Sequence, residues 1–332
     1  MPATLKSLPL ILIVTAVFSP SFARQSPEKS LATHSVVVNV LDKQGNAVCD
    51  LTKEDFQFRL NGTPVTVVDA RYSLAPRRVL VLFDISPSMG EEHSTAKWQI
   101  AREALDDLLK QKPGEAPIAM LTFASEVRDV FDFSQGGTAI AKWLNEAPDQ
   151  LRQPKRQGRR TALFDAILKG LKLLEPLRPG DALYVITDGR DNASHVSPSQ
   201  ARALLLKSGV RLFAFLLVDY PPNAVGIGGE SAYSFREMAR DSGGFAFDLA
   251  AQSGTFLGAP LHSGCVFDDA NREKVKEYTQ QLNIQVYGFW TLDLMVAPTS
   301  KQEKVSLKVV GHEGKARKDV WLTYSRLLPG EH

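Results

Sequence analysis

A chain of 332 residues, 44% apolar and 23% charged, has ordinary globular composition and the length to bury a sizeable core in one large or two modest domains. Its formal charge of +2 excludes the basic surplus of a nucleic-acid binder. Beyond the first two dozen residues, no segment approaches the roughly 20 apolar residues that a membrane-spanning helix needs.

The opening MPATLKSLPLILIVTAVFSPSFA carries one lysine, an apolar stretch from Leu8 to Phe18, and the small residues Ser21 and Ala23 before a cut. That pattern predicts a secretory signal peptide over 1–23 and an exported chain, periplasmic or secreted. No cysteine follows the cut, which argues against a bacterial lipid anchor. The remainder holds 38 cations and 37 acids. In an oxidising compartment Cys49 and Cys265 either pair or stay as two separate buried thiols. A bridge would close a loop of more than 200 residues, worth roughly 5 kcal/mol in the chain-entropy model.

Residues 24–33 are polar and broken by Pro27, which predicts a flexible leader. Over 34–76 the pattern is β. SVVVNV reads as a strand, followed by a turn on Asp42, Gly45 and Asn46. Thr52 caps a single helical turn with Asp55 three residues on. Phe56, Phe58 and Leu60 alternate, and Asn61-Gly62 predicts a hairpin into TPVTVV. About forty residues are too few for a core of their own.

From Arg78 the texture changes to apolar runs alternating with helix-period segments. VLVLF leads to a helix from about Thr95, with Ile100, Ala101, Ala104, Leu105, Leu108 and Leu109 on one stripe. APIAMLTFA and VRDVFDF are strands, followed by a short helix near 139–146. TALFDAILKGLKLL is a helix, DALYVITD a strand, SPSQARALLLKSG a helix with Ser and Pro at its start, and VRLFAFLLV a strand. SAYSFREMARDSGG ends at Gly243 and Gly244, before the strand FAFDL. This repetition over 77–283, closed by a helix near 272–281, predicts an α/β fold with a doubly wound, mostly parallel sheet. IQVYGFWTLDLMV, KVSLKVVG and KDVWLTYS then give a β region over 284–326, with 327–332 as a tail. Neither β flank can bury its apolar face alone, so the expectation is one small β-sandwich with the α/β module inserted into it.

The chemistry gathers where strands end. Asp84 closes the run VLVLF, and Ser86 and Ser88 follow at alternate positions. Asp188 closes the apolar strand in VITDGRDN, and Thr161 stands at a helix start after Gly158. In an open parallel sheet, strand C-termini and helix N-termini meet at one rim, where ligands bind. Two carboxylates and three hydroxyls there make an oxygen-only donor set. Such a set suits Mg²⁺ first, with Mn²⁺ or Ca²⁺ as alternatives, and suits zinc or copper poorly.

DISPSMG, with Thr161 in RRTALFDAI and Asp188 in ITDGRDNAS, resembles the metal-ion-dependent adhesion site of von Willebrand factor type A domains. The resemblance extends over about 77–283, with DSGGFAF similar to that family's last helix-to-strand passage. VLDKQGNAVCDLTKEDFQFRLNGTPV resembles the flank of exported bacterial proteins of the VWFA-related class, described best from acidobacteria. It implies a Rossmann-like sheet and a divalent cation contacted by Ser86, Ser88 and Thr161, with Asp84 and Asp188 holding it directly or through water. It further implies an open coordination position that an acidic residue of a partner protein fills. Where many relatives have two glycines before the threonine, this chain has Arg159 and Arg160. These cations, with Arg190, are candidate partner contacts favouring acidic ligands; alternatively the run LRQPKRQGRR is only solvated surface.

Enzyme chemistry fits less well. Aspartate-nucleophile phosphatases need a second acid two residues after the first, and that position holds Ser86. There is no GxSxG elbow, and NAVGIGGES lacks the lysine of a phosphate loop. His93 and His195 read as loop histidines close to the rim. Asn61-Gly62-Thr63 and Asn192-Ala193-Ser194 match glycosylation sequons without meaning in a bacterial setting. A third possibility is a structural part of an envelope assembly, with the ion only stiffening the rim.

Overall fold

The computed structural model describes residues 32–90, 95–146, 160–218, 229–249, 269–297, 301–311 and 313–328. The signal-peptide and leader expectations up to residue 31, His93, Arg159 and Cys265 fall outside them. Cys49 is described and exposed.

The flanks build two four-stranded antiparallel sheets. β1 (Ala32–Asp42) lies between β11 (Phe289–Val296) and β13 (Val320–Tyr324), with β4 (Val67–Ser73) beyond β11. The second sheet runs β14 (Leu327–Leu328), β12 (Glu303–Val309), β2 (Phe56–Leu60), β3 (Thr63–Val65). Each sheet therefore mixes N-terminal and C-terminal segments, and one core cluster joins them. Val36, Val38 and Val40 meet Phe56, Phe58, Leu60, Leu292, Leu294, Val305, Leu307 and Val309. Period-2 alternation drives this, as the buried-exposed-buried pattern of β2 shows. The hairpin at Asn61-Gly62 forms with both residues at positive φ, 48° and 86°. Thr52 donates its N–H (2.7 Å) and its hydroxyl (2.9 Å) to Asp55, closing the single helical turn Lys53–Asp55.

Between β4 and β11 sits the doubly wound module. Its six-stranded sheet has the order β10 (Ala246–Asp248), β9 (Arg211–Leu216), β8 (Ala182–Thr187), β5 (Val79–Asp84), β6 (Ile118–Phe123), β7 (Val127–Phe131). All neighbours are parallel except β7, which pairs antiparallel with β6. The central strands are buried on both faces, so their sequences are continuous apolar runs. Val79, Val81 and Phe83 face one core with the helices Thr95–Gln111 and Asp269–Tyr287, and Leu80 and Leu82 face the other with the helix Leu163–Leu173. The expected stripe on Thr95–Gln111 is buried at Ile100, Ala101, Ala104, Leu105 and Leu108, with Leu109 packed at its edge. Gly170 sets how closely Leu163–Leu173 lies on the sheet. A Cβ there would stand 3.0 Å from Leu82 and 3.1 Å from Leu183.

Three boundaries differ from the sequence reading. The last helix runs Asp269–Tyr287, not 272–281, and takes Ile284 to Tyr287 from the expected strand, which begins at Phe289. Leu282 and Val286 bury one helical turn apart under the sheet, and this outweighs the alternation of IQVY. β1 starts at Ala32, inside the expected leader, because Ala32 and Thr33 pair with Val296 and Met295. Leu327 and Leu328, expected as tail, form β14 against Lys304 and Glu303.

Candidate metal centre

Strand order positions the rim. After β5 the chain goes to β6 on one side, and later returns to β8 on the other. The C-terminal ends of β5 and β8 therefore flank the crevice where an open α/β sheet binds ligands.

Asp84 is the last residue of β5, and its carboxylate is fully buried. Oδ2 accepts from the Thr187 hydroxyl at 2.6 Å, across the β5–β8 boundary. Oδ1 accepts from the Ser86 N–H at 2.8 Å, which turns the chain back over the strand end. Burial first, and the charge of Asp188 second, push the Asp84 carboxyl up to about 7. Ile85 is tied by its N–H to the Phe123 carbonyl at 2.8 Å. The Ser86 and Ser88 hydroxyls lie 3.1 Å apart, with Ser86 buried and Ser88 half-buried.

Thr161 is held at the same rim between the loop after β6 and the loop after β8. Ala162 donates its N–H to the Ala124 carbonyl at 2.7 Å, one residue beyond the anchor of Ile85. The Thr161 N–H goes to Asn192 Oδ1 at 2.8 Å, and the Thr161 carbonyl accepts from the Asn192 and Ala193 N–H groups, each at 3.0 Å. The side chains of Asp191 and Ser194 accept from the N–H groups at the start of helix Leu163–Leu173, and Ser194 in turn bonds to Asp191. Asp188 follows β8 with 1% exposure. Its Oδ1 accepts from the Arg190 N–H at 3.2 Å, a turn made across Gly189 at φ 77°.

All five expected donors are buried or half-buried at the ends of adjacent elements. The cationic candidates divide. Arg160 is exposed but engaged, its guanidinium donating to the Asn192 carbonyl at 2.9 and 3.2 Å. Arg190 is half-exposed, with Nε 3.6 Å from Asp188 Oδ2. His195 points outward and pairs with Asp165 at 2.7 Å.

Sequence reasoning missed two groups. Thr187, Asp191, Asn192 and Ser194 form the support beneath the donors; the apparent sequon Asn192-Ala193-Ser194 is in fact two props for Thr161 and its helix. The other is Lys97, whose side chain is 2% exposed with Nζ 3.4 Å from Asp188 Oδ2. It continues the stripe of Ala101, Ala104 and Leu108, and a charge at a core position of a helical stripe was the available signal.

Chemically, the rim offers hard oxygens, and each Asp84 oxygen keeps a lone pair beyond its one neutral donor. That donor chemistry fits a hard divalent cation. Among the described residues no three or more His, Cys, Asp or Glu side chains converge as a metal cluster. A cation held here therefore depends on the hydroxyls.

This sheet with this rim defines a doubly wound α/β module that carries carboxylates and hydroxyls where its strands end. The model of the von Willebrand factor type A domain matches residues 79–255, more than half of the chain, and the chain belongs to that family. Such domains generally serve as interaction modules. The matched span stops short of helix Asp269–Tyr287, which nonetheless completes the core of the module. Solved structures similar to the chain include an aerotolerance-related membrane protein from Bacteroides fragilis, 16% identical over 62% of this chain and 98% of that one, with a TM-score of 0.42. BatB from Bacteroides thetaiotaomicron is 14% identical over 63% and 98%, with a TM-score of 0.40. A von Willebrand factor type A protein from Catenulispora acidiphila is 12% identical over 90% and 73%, with a TM-score of 0.43. No curated protein matches the chain. Among the described residues no helix is long and apolar enough to cross a membrane.

Proposed function

We propose that this chain is an exported protein-binding module whose contact with its partner depends on a divalent cation, Mg²⁺ first, held by Ser86, Ser88 and Thr161 with Asp84 and Asp188 behind them. One observation carries the reading. Two carboxylates, 0% and 1% exposed, stand at the C-terminal ends of neighbouring strands beside a pair of hydroxyls 3.1 Å apart. Burying two like charges together is costly unless a cation compensates them. The amino-terminal pattern supports export, and membership of an interaction family supports binding over catalysis.

When bound, the ion would supply a Lewis-acidic centre for an acidic residue of the partner. The chain's own residues do the positioning. Asn192 fixes the Thr161 backbone, Thr187 orients Asp84, and the Ser86 N–H holds the loop so that both serine hydroxyls share one side. Because the hydroxyls are neutral, the carboxylates alone set the negative charge. Arg160 and Arg190, at the exposed edge, favour an acidic ligand and speed its approach at low salt.

The test has two parts. Calorimetric titration of Mg²⁺ is expected to give saturable binding that Asp84→Ala abolishes. Pull-down from envelope extract should then yield a protein with Mg²⁺ that is lost with EDTA and with Asp84→Ala. Identical catches under all three conditions would remove the metal from the function, and turnover of a phosphoester would replace binding with catalysis.

A further inference from the structure

The rim carries its own cation. Lys97 lies in the first turn of helix Thr95–Gln111, where the helix dipole disfavours a positive charge. Its side chain is 2% exposed, although lysine is almost never fully buried unless paired. Its Nζ stands 3.4 Å from Oδ2 of Asp188. A closed ammonium–carboxylate bond measures about 2.7–2.9 Å, so the contact with Asp188 is longer than a closed pair. Asp84, the second carboxylate, lies close enough to feel the charge of Asp188. Arg190, 3.6 Å from the same Asp188 oxygen, is 54% exposed, so water screens it and Lys97 is the buried counter-charge.

Resting on the reading that this rim takes a divalent ion, we propose that the Lys97 ammonium is a tethered stand-in for that ion: it compensates the carboxylates while the ion is away, and metal loading is an exchange of one cation for another. The position of Lys97 fits this. Four methylenes give the ammonium the reach to leave Asp188 without moving the helix. The exchange sets metal affinity low, because loading must displace Lys97 from Asp188 or tolerate a positive charge beside the ion. It also keeps the metal-free rim folded, because the buried carboxylates never face each other uncompensated.

Lys97→Met keeps length and removes charge. Isothermal titration of Mg²⁺ and of Mn²⁺ is expected to show this variant binding at least about tenfold more tightly than wild type, the scale of one nearby unit charge at a partly screened site. Its melting temperature in EDTA should fall below that of wild type and recover on adding Mn²⁺. Lys97→Arg retains the charge and should bind no more tightly than wild type. Should Lys97→Met unfold in EDTA, recovery of its circular dichroism with Mn²⁺ supports the exchange, and failure to recover overturns it. Equal or weaker binding by Lys97→Met also overturns it and makes Lys97 a fixed structural partner. If neither wild type nor Lys97→Met binds either ion, the metal reading of the rim fails and the exchange falls with it.

Discussion

Thr187 and Asp84, 103 residues apart in the chain, are joined by a 2.6 Å hydrogen bond inside the sheet. The donor is neutral and the acceptor fully buried, so removing the hydroxyl leaves a carboxylate oxygen with less solvation than any water-facing group. Thr187→Val is expected to lower the free energy of unfolding by about 2 kcal/mol, while Thr187→Ser loses clearly less. Urea denaturation of the three proteins checks this, and equal losses in both variants would trace the effect to packing.

Thr161 separates folding from ion binding. Its backbone is fixed on both sides by Asn192, and none of those bonds uses its hydroxyl. Thr161→Ala is expected to cost about 1 kcal/mol or less in stability. It should abolish the stabilisation of about 2.7 kcal/mol that Mg²⁺ at a hundredfold excess over Kd gives wild type. Thermal melts with and without Mg²⁺ measure both.

Asp165 gives the rim an acid limit. Burial raises its pKa, but hydrogen bonds from the His195 ring and from the His195 and Val196 N–H groups outweigh burial and hold it below the ordinary aspartate range. A carboxyl lowered on folding contributes stability above its unfolded pKa of about 3.9 and loses it as pH falls through the folded value. Stability should therefore fall steadily below pH about 4. Asp165→Asn should be less stable than wild type at neutral pH and converge with it at the acid end. Denaturation curves across that range decide it.

Asn39 ties the sandwich to the module. Its Nδ2 donates to the Gln285 and Gly288 carbonyls at 2.9 and 2.7 Å, and its Oδ1 accepts from Arg211 at 3.0 Å. Arg211, buried between the rings of Phe213 and Phe289, also donates to the Gln285 and Val286 carbonyls. Asn39→Ala takes one acceptor from a buried cation and one donor each from the Gln285 and Gly288 carbonyls, with an expected cost of about 3 kcal/mol. A melting temperature unchanged from wild type would show that the knot is not structural.

Much of this was legible in the sequence for definite reasons. A buried parallel strand has no polar face, so VLVLF, DALYVIT and VRLFAFL announced themselves, and the polar residues ending them marked the rim. The sandwich flanks were legible because alternation leaves each with one face to cover. The support shell was not, because Asn192 and Ser194 act through loop geometry that no periodicity encodes. Lys97 was legible only through its place on the stripe of Ala101, Ala104 and Leu108, and a single charge there is easily read as a solvated side chain. The end of helix Asp269–Tyr287 departs from the sequence reading because IQVY satisfies both periods, and the burial of Leu282 and Val286 one turn apart, which depends on the sheet above them, decides for the helix.

Ser73, the last residue of β4, pairs across the ladder with Phe289, the first of β11. The chain leaves the sandwich and re-enters it on adjacent antiparallel strands, as though the whole α/β module were an overgrown hairpin loop. Such an arrangement is a socket. Its rungs fix the two wires side by side, so the length of chain plugged between them is free to change without re-threading a single strand of the base.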